Sequence, residues 1–585
     1  MTYGLFFAII HIPIGEAFPK IQTKEAVFAL MRKQLSVMKT LIRVLALVLA
    51  CLFCLSMVVA CKDKTKTTTG TKSGKSNKSG SEGLFDEEDT YTWDANTGKY
   101  VDKWGKEKDD LPEDLDFGGT DVVVLYWSDV EKPEFISEEL TDNERMQAIY
   151  YRNRAIQNRL GVELKFEGVR GDHANIKKFV AHVAAAFEAG THDFDLIATY
   201  SRTAGALMVK GYLVDLNTIE NSYLTVGLPE GQKKPWWPKN LTENMAIGNK
   251  QFMVAGDISM TIIDEMYATY FNKELVNVQF EEEARAAGVE DGTRLLYSYV
   301  RSGTWTLDKM IEMMSNYYVD NDHNNRRSIG DRFSLCSANN NLTLLYGGLN
   351  FRMLQPDPSQ ILKLSPDITS NRVATAVQKL GRLLTSNEYY DRDRDSVIDG
   401  VFYMDPFIQG ECMFTMHYLE CAENFLLNND AVPHYGLVPT PRYDVNQPFY
   451  YSVVGYAFSM FCIFQDFNPH DNAEETLSML TAVIECWASE GYRKCTPVLF
   501  ELNMQLKYSE TQDETDMCEY LRAGIVFDLG RVMEDALGGA RFDTKFILAC
   551  IAGQDWASQV EGIWNAAEAS LAGFLRTNFG DESGT

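Results

Sequence analysis

From Asp121 to Thr199 the chain alternates between two hydrophobic periods, and that alternation restricts the fold more than any other feature. Asp121–Trp127, DVVVLYW, is a continuous β-rich run without polar alternation, the pattern of a strand buried on both faces as in a parallel sheet. Met146, Ile149, Tyr150, Ile156 and Leu160 then recur at helical spacing, and Gly161 ends that helix before a strand at Val162–Phe166. Ile176, Phe179, Val180, Val183 and Phe187 mark a further helix, closed by Gly190 ahead of a strand at Phe194–Thr199. This β-α-β-α-β order predicts an α/β fold, a parallel sheet covered by helices, whose ligands sit beyond the carboxyl ends of the strands. Tyr126, Trp127, Tyr200, Ser201 and Arg202 occupy those ends.

A second lobe is expected to begin near Ile258, with the strand-like ISMTIIDEMYATYF and later a helix over Thr306–Tyr318 that Thr306 can cap. No Pro- or Gly-rich linker separates the two regions. Two lobes joined by several short crossings would leave no such boundary, whereas independent domains on a string would. The chain carries no internal repeat.

Ahead of this body lies an export pattern. Lys39 and Arg43 precede an apolar run from Val44 to Ala60, broken only by Ser56 and followed by Cys61. Such a run suits a secretory signal or a membrane anchor. Val58-Val59-Ala60-Cys61 resembles a bacterial lipobox, and Lys62–Gly83 is a Lys/Ser/Thr/Gly tract with no apolar residue to offset chain entropy. The expected order is a non-native stretch at 1–37, with Met31 or Met38 the initiator, then a signal peptide at 38–60. A lipidated Cys61 and flexible tether follow at 61–90, holding the body on the extracellular face of the cytoplasmic membrane.

Composition narrows the partners. Lys plus Arg number 55 against 82 Asp plus Glu, a net charge of −27, which repels phosphate backbones and makes nucleic acid a poor partner. The eight cysteines after Cys61 contain no C-x-x-C pair, so zinc and redox motifs are absent, and most sit among apolar neighbours as core residues do. Disulfide pairing stays open. There is no G-x-S-x-G, H-E-x-x-H or Walker loop, and no cofactor is implied. Asp320, Asp322, Asn324 and Asp331 stand at positions 1, 3, 5 and 12 of a calcium-loop count, but Asn325 replaces the turn glycine and two arginines follow. Asp391, Asp393, Asp395 and Asp399 begin similarly but end on Phe402, so a solvated loop is the better reading.

Several segments, in order, resemble the extracellular solute-binding proteins of sugar-type ABC importers, the maltose-binding-like class. They are DFDLIATYSRTAGALMVKGYLVDL at Asp193–Leu216, PWWPKNLTENMAIGNKQFMVAGD at Pro235–Asp257, YATYFNKEL at Tyr267–Leu275 and GTWTLDKMIEM at Gly303–Met313. FIQGECMFTMHYLE at Phe407–Glu420, YGLVPTPRYD at Tyr435–Asp444 and YYSVVGYAFSM at Tyr450–Met460 continue the series. Lys507–Gly530 is similar to a C-terminal segment of Gram-positive members. Residues 276–301 and 355–401 depart from the family pattern.

The resemblance implies a two-lobed binding-protein fold, each lobe a sheet flanked by helices, with lobe 1 at 115–255 and 455–505 and lobe 2 at 256–454 and 506–585. It implies a small solute, a sugar above all, delivered to the permease subunits of an ATP-driven importer, with no bond broken. Aromatic faces suit a sugar's C–H side, and carboxylates or Arg suit its hydroxyls. Trp127, Asp129, Tyr200, Ser201 and Arg202 are the candidates from the first lobe, Asp257 near the hinge, and His417, Tyr418 and Glu420 from the second. Each has a bland alternative: Trp127 and Tyr200 as core, His417 and Tyr418 as structural groups, the charged residues as salt bridges. Trp236 and Trp237, between Pro235 and Pro238, read as loop wedges, and Trp305 as packing at a helix start. Two other functions stay open: a surface carbohydrate-active enzyme, whose carboxylate pair would follow no spacing rule, and a sensor or adhesion lipoprotein.

Overall fold

The alternating segment folds as strand and helix because each run has only one way to bury its apolar side. In the computed structural model, which describes residues 90–229, 232–358, 361–391, 403–426, 429–500 and 511–580, strand β1 spans Thr120–Trp127, β2 Val162–Val169 and β3 Leu196–Tyr200. Between them, helix α1 runs over Glu144–Leu160 and α2 over Ile176–Ala189. Asn143 caps α1 by accepting from the Met146 N–H at 3.0 Å. Gly161 ends the helix at φ 58°, and a Cβ there would lie 1.9 Å from Asp116 Oδ1. The residues assigned to the signal peptide (38–60), Cys61, the tether up to residue 89, and Asp393, Asp395 and Asp399 lie outside the described residues.

β1 lies between β2 and β3 and is parallel to both. The sheet is completed from far along the chain by a strand at Ser459–Ile463, antiparallel to β3, giving four strands in all. A second sheet has five strands: β4 (Tyr267–Asn272), β5 (Phe333–Ser337), β6 (Tyr389–Asp391), β7 (Cys412–Tyr418) and β8 (Tyr435–Pro439), in the order β6–β5–β7–β4–β8. β7 pairs parallel with β5 and antiparallel with β4, so β4 begins at the edge where β7 ends. The Ser459–Ile463 strand becomes β9. Both sheets are mixed, each flanked by helices, and all described residues belong to one compact unit, Ser79–Thr585.

Two segments connect the sheets side by side. One runs from Val254, bridged to Phe461 of β9, to Met266 at the start of β4; the other returns from Val454, bridged to Met266, to Ser459. The first differs from its strand-like sequence. Residues 258–266 contain a single helical turn, Thr261–Asp264, because Ser259 and Thr261 turn their hydroxyls to a buried carboxylate and to the Ser459 N–H instead of extending a ladder. The helix expected over 306–318 stops at Met314. Thr306 does cap it, but Ser315 is extended and Asn316 takes φ 63°. All eight cysteines of the body are buried, and no disulfide forms among the described residues.

Candidate functional site

The strand directions bring two edges together. Trp127 and Tyr200 end β1 and β3, and Tyr418 ends β7 beside Tyr267, so the carboxyl edges of both sheets meet at the paired crossings. Two buried polar clusters occupy those crossings.

The first is centred on Glu134, 1% exposed. Its carboxylate accepts from Ser459 Oγ at 2.5 Å, Thr261 Oγ1 at 3.0 Å and Ser259 Oγ at 3.1 Å, which fastens the loop after β1 to both crossings. Burial raises its pKa, and the bonds from Ser459 and Thr261 oppose the rise. Trp127 belongs to this cluster: buried against Tyr200 with ring centroids 5.5 Å apart, it donates its indole N–H to Ser459 Oγ at 2.8 Å.

The second surrounds Tyr456, which lies in the returning crossing. The Ser201 hydroxyl donates to the Tyr456 carbonyl at 2.6 Å, and the Tyr456 hydroxyl donates to Asp543 Oδ2 at 2.9 Å. Arg531 lies 4.2 Å from the Tyr456 ring centroid, Arg202 5.5 Å and Arg541 5.9 Å. Arg202 pairs with Glu534. Glu265, from the outgoing crossing, accepts from the Ala457 N–H at 3.4 Å. Gly455 is required here, since a Cβ would lie 1.7 Å from Glu265 Oε2 and 2.8 Å from the Tyr418 ring. Burial and then the charge of Glu420 push the Glu265 carboxyl well above the usual carboxylate range, so the neutral acid is favoured. Burial likewise raises the Tyr200 and Tyr418 hydroxyls, keeping them as donors.

No family model matches the chain, and no curated protein matches it. Solved structures it resembles include solute-binding proteins. The maltose-binding periplasmic protein MalE from Listeria monocytogenes, in complex with maltose, is 11% identical over 78% of this chain and 98% of that one, with a TM-score of 0.46. The galacto-N-biose/lacto-N-biose I-binding protein of a Bifidobacterium longum ABC transporter is 11% identical over 79% and 98%, with a TM-score of 0.43. UspC of M. tuberculosis is 14% identical over 77% and 100%, with a TM-score of 0.47. At scores below 0.5 these likenesses carry no argument about the site, which rests on its own geometry.

That geometry sorts the candidates. Tyr200, Ser201, Arg202 and Tyr418 meet at the Tyr456 cluster. His417 stands behind it: 4% exposed and stacked on Tyr403, it accepts the Tyr418 N–H at Nδ1, 2.8 Å away, and burial lowers its pKa to about 4. The ring is therefore neutral and orients the end of β7. Glu420 sits at the rim, its pKa pushed up to about 7 by burial, with Lys132 opposing and Glu131 and Asp264 adding to the rise. Lys132 reaches Glu423 at 2.7 Å and Asp264 at 3.9 Å, tying the loop after β1 to the segment after β7.

Asp129 and Asp257 serve elsewhere. Asp129 accepts from the Gly171 and Asp172 N–H groups at 2.8 and 3.1 Å and from Asn175 Nδ2 at 3.1 Å, fixing the loop before α2. Asp257 accepts from Arg522 at 3.0 and 3.1 Å and from Thr496, within the outgoing crossing. It borders a cavity of about 270 Å³ there, with Ile262, Ile263 and Met266. Trp236 and Trp237 are buried and both donate to Glu485, at 2.9 and 3.0 Å, while Trp305 donates to the Pro439 carbonyl. In the acidic loop, carboxylate oxygens of Asp320, Asp322 and Asp331 lie within 4.8 Å of one another, but Asn324 spends its side-chain oxygen on the Arg326 N–H.

Sequence reasoning missed Glu265, Tyr456, Arg531, Arg541 and Asp543. Tyr456 falls inside a segment quoted for the family resemblance and Glu265 inside the strand-like start of the second lobe, and their place on crossings between strand edges was a usable signal. The last three return from the C-terminal region with no local pattern to mark them.

Proposed function

We propose that this chain is an extracellular solute-binding lipoprotein that captures a carbohydrate between two lobes and delivers it to an ABC importer. The single observation that carries this reading is the Tyr456 cluster. There, side chains from both sheet edges, both crossings and the C-terminal region converge as tyrosines, guanidiniums and carboxyl groups, the inventory that binds ring faces and hydroxyls. Lobe 1 is taken as 115–255 with 455–505, and lobe 2 as 256–454 with 506–585. The ligand set is Tyr200, Ser201, Arg202, Tyr418 and Glu420, to which Glu265, Tyr456, Arg531 and Arg541 are added. Two lobes on paired crossings can open and close over a solute, and a bound solute shifts that balance toward the closed state an importer reads.

The sequence supports lipid attachment through Cys61 and a Gram-positive envelope. No helix among the described residues is long and apolar enough to cross a membrane. Titration calorimetry of the protein against an oligosaccharide panel, with mass spectrometry of the recovered sugar, tests the reading. Saturable binding at one site per chain with the sugar intact is expected. Cleavage of the sugar would assign the site to an enzyme, and normal carbohydrate uptake by cells lacking the gene, despite binding in vitro, would favour a sensor.

A further inference from the structure

The start of the described body carries an aromatic patch that the solute site does not use. Two short strands, Thr92–Asp94 and Lys99–Val101, pair as a hairpin with Trp93 opposite Tyr100, so the two rings share one face, with centroids 5.2 Å apart. Trp104 stands in the turn that follows, and all three side chains are more than half exposed. Among the described residues none of the three forms a hydrogen bond through its ring nitrogen or hydroxyl. A single exposed apolar side chain is ordinary, but three aromatic ones within twelve residues mark an interaction site. The hairpin is fastened to the body by the residues after it. Glu107, bridged to Val101, accepts from Arg493 at its carbonyl, 3.3 Å, and pairs with Lys234 at 2.7 Å, while Asp109 pairs with Arg159 at 2.7 Å.

We propose that Trp93, Tyr100 and Trp104 dock the body on the lipid bilayer, seating their rings at the headgroup level. This rests on the proposed attachment through Cys61 and goes beyond solute capture. Residues 62–89 alone separate Cys61 from the described body, so of its large exposed apolar side chains these three are joined to the anchor by the shortest length of chain, and their insertion is an intramolecular step. Charge points the same way. Between 92 and 109 four lysines stand against four acids, so the patch is neutral, whereas a chain of net charge −27 is as a whole repelled by an anionic membrane surface. Trp and Tyr, each an apolar ring with a polar tip, are the side chains that settle at the boundary between lipid and water. A glycan would stack on a flat platform, but Trp93 and Tyr100 meet at 70°, and Lys103 Nζ lies over the Trp104 ring at 5.5 Å.

The test is tryptophan fluorescence of the full chain, exported by a bacterial host and reconstituted in vesicles of phosphatidylcholine, alone or with phosphatidylglycerol. Vesicles with brominated acyl chains quench tryptophans that reach the bilayer, and mass spectrometry of the same protein reads the lipid on Cys61. Trp93 and Trp104 are two of nine tryptophans, and most of the others are buried. Quenching of up to about a fifth of the emission is expected in both kinds of vesicle and at high salt. Tyr100→Ser, which keeps both tryptophans, is expected to cut that quenching to about half or less, because insertion scales with buried apolar area. Trp93→Ser combined with Trp104→Ser is expected to remove it, with thermal unfolding of both variants unchanged. If vesicle-bound protein shows no quenching, or quenching that survives both variants, the docking proposal falls while the anchor stands. Quenching seen only with phosphatidylglycerol and lost in salt would assign the contact to the lysines of 62–83 and overturn the proposal as well. If the protein is neither lipidated at Cys61 nor retained by the vesicles, the anchor reading itself falls and takes the proposal with it.

Discussion

The two polar clusters on the crossings are both buried but are built from different parts. Around Glu134 both carboxylate oxygens are filled by hydroxyls of Ser259, Thr261 and Ser459, within a setting of buried apolar side chains. Around Tyr456 the guanidiniums of Arg202, Arg531 and Arg541 converge with tyrosines and the carboxylates of Glu534 and Asp543. A carboxylate filled by short hydroxyl side chains is a structural joint, whereas tyrosines with guanidiniums and carboxylates are the inventory that takes a solute's ring faces and hydroxyls. An open guanidinium donor does not separate the two, since Arg152 Nη1 beside Glu134 and Arg531 Nη2 beside Tyr456 both have no partner among the described residues; residue type does.

The largest effect that would break this contrast is at the joint. Glu134→Ala orphans three buried hydroxyls and is expected to cost about 3 kcal/mol or more in urea unfolding. A loss below about 1 kcal/mol would remove the joint from the picture. Next comes Gly455→Ala, whose added methyl must displace Glu265 or Tyr418. Solute affinity should fall by about tenfold or more, with a stability loss of about 1–3 kcal/mol, and unchanged affinity would place the site elsewhere.

A smaller effect sharpens the contrast through pH. Glu420 has its folded pKa raised to about 7 from 4.5, so its favourable contribution is complete below pH 4.5 and is lost as pH rises toward 7. Buried His417, lowered from 6.5 to about 4, has the reverse sign, and its contribution is lost as pH falls from 6.5 toward 4. Glu420→Gln is therefore expected to raise Tm relative to the parent at pH 8 and to leave it nearly unchanged at pH 4. A gain confined to acid pH would contradict the assignment. The smallest effect is at the rim, where Lys132→Ala removes partly exposed ion pairs and should cost no more than about 1 kcal/mol, less at high salt.

What the sequence revealed follows physical range. The β-α-β-α-β frame was legible because an unbroken apolar run such as Val122–Leu125 must be covered on both faces, and because Gly161 and Gly190 mark helix ends by the left-handed backbone they adopt. Strand ends were legible too, so Tyr200, Ser201, Arg202 and Tyr418 were placed correctly at an edge. Side-chain direction was not. Trp127 turns inward because its partner Ser459 lies 332 residues away, and Asp129 is taken by a loop that only the folded sheet brings near. Arg531, Arg541 and Asp543 reach the site from the end of the chain, a contact that no local period encodes.

Hydrogen–deuterium exchange with and without a saturating saccharide tests most directly whether one solute is held by both lobes. Protection is expected to rise together at 200–205, 417–420, 454–458 and 529–544, segments that meet at Tyr456. Protection on one sheet edge only, or confined to 235–240, 256–263 and 522–525 around the cavity that Asp257 borders, would contradict it.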